Sequence, residues 1–195
     1  MKNYVTTLAF AFSLMLPHAT PAQVVTPPPL PAGIEVAPPD QPFLLGHGFG
    51  TQNYACQPVN SIGRVDWVLF TPQATLFGDS DEQLITHFFG PNPQEGNIVR
   101  VAWQDSRDTS TVWGRLIAQS SDANFVKTGA VAWLKIERVG AQPGPTGGDT
   151  LSQATFIQRV NTEGGLAPST GCERPTDIGK KQFVPYSADY IFYKK

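Results

Sequence analysis

Few side chains in this sequence are equipped for chemistry, and they cluster in short stretches. From Gly46 to Cys56 it reads GHGFGTQNYAC, three glycines with a histidine, a tyrosine and a cysteine. The spacing is G-x-G-x-G, whereas a dinucleotide loop needs G-x-G-x-x-G after a strand and at the opening of a helix. The residues that follow, TQNYAC, alternate as a strand does. The glycines are therefore expected at a bulge, bend or close crossing within one long strand.

His87 lies in QLITHFFGP, where alternation places Ile85, His87 and Phe89 on one face. A histidine between large apolar neighbours is a core or pocket-wall group, or a general base if a carboxylate such as Asp189 or Asp66 orients it. Gly78-Asp79-Ser80-Asp81-Glu82 lacks the second glycine of a nucleophile elbow, and it also lacks the glycine and terminal glutamate of an EF-hand loop. It reads as a polar turn. With His18 in the leader described below, only His47 and His87 remain, too few for a tris-histidine centre. No metal site and no cofactor are expected.

The two most informative strands are ATFIQRVN and VPYSADYIFY. Alternation sets Gln158 and Val160 opposite Arg159 and Asn161, and sets Ser187, Asp189 and Ile191 opposite Tyr186, Ala188 and Tyr190. An Arg159–Asp189 pair across neighbouring strands would be structural. If both converge with His87 and Tyr54 in one cavity, the four make a polar-tipped small-molecule pocket. Tyr54, His87, Arg159 and Asp189 are thus the ligand-binding candidates.

The elements that must position these groups read as eight strands, rich in Val, Ile, Phe, Trp and Tyr and parted by Gly, Pro, Asp and Ser. They span Phe43–Cys56, Val65–Phe70, Leu84–Phe89, Ile98–Gln104, Val112–Gln119, Val131–Val139, Thr155–Asn161 and Phe183–Tyr193. No helical stripe interrupts them. The fold class is all-β, an antiparallel sandwich or a small barrel of about eight strands. Pro185 inside the last strand points to an edge position or a bulge, since proline cannot donate to a ladder.

Upstream, residues 1–22 carry Lys2, a short apolar run and the small-residue segment PHATPA, the three parts of a secretory signal peptide, with the small-residue preference met best by cleavage after Ala22 and also by cleavage after Ala19. Residues 23–42 are too proline-dense for a helix and read as an extended tether or a strap on the domain surface. Residues 43–195 form a single all-β domain. Removing the leader takes one lysine from 14 basic residues set against 16 acidic ones, so the net charge moves from −2 to −3. Basic residues are scattered, so nucleic acid is not an expected partner. No apolar segment reaches the length of a transmembrane anchor. The chain is expected to be secreted or periplasmic, where a disulfide between its two cysteines, Cys56 and Cys172, would persist.

The ordered set GTQNYAC, VDWVLFTPQATLF, HFFGP, AVAWLKI, IQRVNTEGG and VPYSADYIFY resembles the secreted bacterial and fungal family catalogued as domain of unknown function 3455. The resemblance runs from about Phe43 to Tyr193. Where the family continues from Gly-Pro into a Thr-Trp-Glu-like turn, this chain has Gly90-Pro91-Asn92-Pro93-Gln94. Some relatives carry a malate dehydrogenase label, yet this sequence has neither a Rossmann fingerprint nor βαβ alternation. The resemblance implies an exported β-rich domain with bridged cysteines and no known reaction. The leading expectation is an exported β domain that binds a small molecule or an envelope or surface partner without catalysis. A secreted hydrolase or lyase using His87, and a structural envelope protein that reaches its partner through the proline-rich segment, are the alternatives.

Overall fold

In the computed structural model, which describes residues 24–60 and 63–195, eight antiparallel strands close into one barrel in sequence order. The strands are β1 (Gln41–Pro58), β2 (Val65–Phe77), β3 (Gln83–Asn92), β4 (Ile98–Asp105), β5 (Thr111–Ser120), β6 (Trp133–Gln142), β7 (Phe156–Gly164) and β8 (Lys181–Lys194). Closure comes from β1 pairing with β8, so the choice between sandwich and barrel falls to the barrel. The signal-peptide reading lies outside the described residues.

All eight expected strands are present, with one substantial change of boundary. β2 continues past Thr71-Pro72 to Phe77, because Pro72 pairs only with Gln52 of β1 and the β2–β3 ladder begins beyond it, at Ala74↔His87. The missing N–H of Pro72 therefore interrupts no β2–β3 pair. Pro185 is tolerated for a related reason: the β7–β8 ladder ends at Gly164↔Tyr186, leaving Pro185 paired to β1 alone. It is an edge in effect, inside a barrel without edge strands.

The glycines of GHGFG serve as a close crossing. A Cβ on Gly50 would collide with the carbonyl oxygen of Gln73, and one on Gly48 would sit 2.9 Å from the Tyr190 ring. The register shifts of β1 lie on either side of them, at Pro42/Leu44 and Asn53/Tyr54.

The barrel interior is divided lengthwise. One end is solid core, built from Leu76, Ile85, Val112, Ile157 and Phe192, and plugged by Leu151 and Ala154 of the β6–β7 connection. At the other end three ladders stop short. The β4–β5 pairs reach only Val101↔Gly114, the β6–β7 pairs only Leu134↔Arg159, and β3 beyond His87 has no partner in β2. There the strands part.

A second apolar layer lies outside the barrel. Residues 24–40 run across β6, β7 and β8, burying Ile34 completely against Trp133, Val160, Ile191 and Tyr193. The buried Gln158 side chain donates to the Ile34 carbonyl at 2.5 Å, and Lys135 Nζ donates to the Glu35 carbonyl at 2.6 Å. This stretch of the proline-rich segment is a strap. Cys56 at the end of β1 is bonded to Cys172 in the β7–β8 connection, 116 residues away. Closing a loop of that length stabilises a fold by roughly 4–5 kcal/mol in chain-entropy terms.

Candidate ligand-binding cavity

The parted ends of the strands enclose a cavity of about 610 Å³ that opens beside the β5–β6 and β7–β8 connections. Its floor is aromatic. His87 is stacked on Trp103 with ring centroids 4.6 Å apart and lies 5.0 Å from Tyr190. These three rings separate the cavity from the solid core. The walls are mostly apolar, with Leu69, Phe89, Val101, Leu116, Leu134 and Ile136 among them.

Three of the four candidate residues line this cavity. Tyr54 donates its hydroxyl to the Gly165 carbonyl at 2.7 Å, an approach made where the chain turns out of β7 through Gly164 and Gly165, both at positive φ. Burial pushes the Tyr54 phenol up from its ordinary value. His87 faces the Ala102 carbonyl through Nδ1 at 2.9 Å; a carbonyl only accepts, so Nδ1 carries the proton and Nε2 is left as an acceptor. Complete burial pulls the imidazole down to about 3, so it is neutral across the physiological range. Arg159 donates from Nε and Nη2 to the Ala132 carbonyl, at 3.2 and 2.8 Å.

Asp189 does not join them. Arg159 is in register with Tyr190 and points inward, while Asp189 pairs with Val160 and points outward, so the pleat puts arginine and carboxylate on opposite faces of one sheet. Outside, Asp189 receives the Asn161 amide at 2.7 Å and the His47 Nδ1 at 2.7 Å, and His47 Nε2 meets Asp79 at 2.9 Å. The Arg159–Asp189 pair is therefore absent. The other proposed orienting group, Asp66, is exposed on β2 and accepts from the Trp67 amide and from Arg64. Neither carboxylate reaches His87.

The cavity also uses residues the sequence reading passed over: Gln52, Trp103, Tyr190, Arg100 and Arg115. Alternation with Tyr54 placed Gln52 on the inner face of β1, and alternation along VRVAWQ placed Trp103 with Val101; that was the available signal. Gly78–Glu82 is a polar turn closed by the Gly78 amide on the Glu82 carbonyl. Among the described residues no group of three or more His, Cys, Asp or Glu side chains is gathered as a metal site requires.

Residues 38–194 match the family described as "Protein of unknown function (DUF3455)". The chain belongs to that family. No curated protein and no solved structure matches it. Within this family member, the all-antiparallel barrel has no parallel ladder or βαβ unit among its described residues, the elements a doubly wound nucleotide-binding fold is built from. No helix among those residues is long and apolar enough to cross a membrane.

Proposed function

We propose that this member of the family is an exported protein that holds one small, largely apolar molecule inside its barrel without transforming it. The observation that carries the reading is the cavity itself. At about 610 Å³ it falls within the roughly 300–1,000 Å³ of small-molecule sites, and it combines an apolar wall with a few convergent polar groups. Eight-stranded barrels are wide enough to hold one such ligand. The Cys56–Cys172 bridge supports an oxidising compartment outside the cytoplasm.

A catalytic reading draws less support from the same residues. A general base works best with a pKa near the operating pH, and His87 at about 3 has neither that basicity nor an orienting carboxylate. The envelope-protein reading needs a free arm, whereas residues 24–40 are laid on β6 to β8 with Ile34 fully buried.

The test is titration of the exported protein with the neutral fluorescent probe N-phenyl-1-naphthylamine. Saturable one-to-one binding is expected, abolished by Val101→Trp, which fills the cavity from β4 while a retained thermal transition reports an intact barrel. Absence of binding, or equal binding by the folded Val101→Trp variant, would overturn the reading.

A further inference from the structure

The charge on the cavity wall is one-sided. Among the described residues no aspartate or glutamate lines the cavity, yet three arginines do. Two of the three are already neutralised from outside it. Arg100 is held by Glu95 through two hydrogen bonds, at 2.8 and 2.7 Å, and Arg115 is held by Glu137. Arg159 meets only neutral partners, the Ala132 carbonyl, which accepts two of its five N–H groups, and the Tyr190 hydroxyl, so its charge is left uncompensated.

Two of the uncharged polar groups lean the same way, against one acceptor, His87 Nε2. Gln52 is 2% exposed, and its Nε2 has no acceptor at hydrogen-bonding geometry, although the side chain lies near the Tyr186 hydroxyl. Trp103 is fully buried and its Nε1–H also lacks an acceptor. Both orphans are donors, and a buried donor without a partner is costly unless something else satisfies it. The wall tyrosines do not supply the missing negative charge, because burial pushes Tyr54 and Tyr190 up and keeps both phenols protonated. A wall that offers a cation and unpaired donors, and no anion, is complementary to an acceptor-rich, negatively charged guest.

On the reading that the cavity is a small-molecule site, we infer that its ligand is an organic monoanion, a carboxylate on a ring-sized apolar body, with the carboxylate held by Arg159 and the nearby Gln52 amide. The apolar body lies against Leu69, Phe89, Val101 and Leu116. A single uncompensated guanidinium matches one negative charge and offers the planar fork that carboxylates take in bidentate fashion. A phosphate dianion would leave charge unmatched, and a cationic guest would face Arg159 with no carboxylate to receive it.

Calorimetric titration with naphthalene-2-carboxylate and with naphthalene-2-carboxamide, equal in shape and different in charge, tests this at pH 7. The carboxylate is expected to bind about tenfold tighter or more, the scale of a hydrogen bond to a charged group. Arg159→Gln should remove that preference while leaving carboxamide binding within a few-fold, and Arg159→Lys should restore part of it. Equal affinities in the unmutated protein, or an Arg159→Gln variant that weakens both compounds alike, would overturn the anion inference. If Arg159→Gln fails to fold, the carboxylate-to-carboxamide ratio in the unmutated protein decides alone. The outcomes also separate the two levels: binding of the naphthylamine probe without a carboxylate preference sinks only the anion inference, whereas absence of naphthylamine binding sinks the cavity reading itself.

Discussion

His87 and His47 stand on opposite faces of the same sheet, and their surroundings drive the two rings in opposite directions. His87 is sealed between Trp103 and Tyr190, donates to a carbonyl and is pulled down to about 3 by burial. His47 is a third exposed; hydrogen bonding to Asp79 first, and to Asp189 second, raises its pKa above the ordinary value. One ring is a neutral wall element and the other a surface ring held between two carboxylates that favour its protonated form, linking β1, β8 and the β2–β3 turn. The contrast teaches that the inner face of this barrel excludes charge except at its arginines, while the outer face satisfies charge in clusters.

The largest expected effect comes from the inner ring. The unfolded chain takes up a proton on His87 near pH 6.5, and the folded chain refuses it until about pH 3. The unfolded state therefore binds more protons between those values, and stability falls as pH falls through that window. By pH 3 the His87 contribution to that loss reaches about 4 kcal/mol. Chemical denaturation from pH 7 to 3 should show the unmutated protein losing stability faster than His87→Gln, with carboxylate titration common to both. Parallel curves would remove the distinction between the faces.

Next in size is a contrast within the outer face. Ile34→Ala removes a fully buried side chain from beneath the strap and should cost about 2–5 kcal/mol, read as a lower denaturant midpoint. Phe183→Ser on the bare side of the barrel, where the ring is 57% exposed, should stay within about 0.5 kcal/mol. Equal midpoints would mean that residues 24–40 do not hold the strap position in solution.

The smallest effect belongs to His47. Because its folded pKa is raised, its contribution is fully present below pH 6.5 and is lost as pH rises through the folded value. His47→Gln should therefore narrow a stability difference of under about 1 kcal/mol on going from pH 6 to pH 9, opposite in sign to the His87 window. A difference that grows with pH would contradict the ion-pair assignment.

Much of this was legible in order along the chain. Alternation in QLITHFF and VPYSADYIFY assigned Ile85, His87 and Phe89 to one face, and separated Tyr186 and Tyr190 from Asp189, as found. Pro72 was misleading because it reads as a strand end; only the register reveals that the β2–β3 ladder starts past it. Arg159 and Asp189 looked like cross-strand partners because both are charged, whereas their register puts each beside an uncharged neighbour. Gln52 and Trp103 were passed over because neither is an obvious reactive group, and their importance lies in what they lack: an acceptor.

The sequence by itself determined the strands, their two faces and the presence of two cysteines able to bridge, because pleat alternation and turn chemistry are local properties of a few neighbouring residues. Which face became the interior, and where the cavity lies, were decided only in three dimensions. Closure of β1 on β8 is a contact between the first strand and the last, and the cavity exists where the β2–β3, β4–β5 and β6–β7 ladders stop. Those end points follow from twist, register and side-chain volume around the whole barrel.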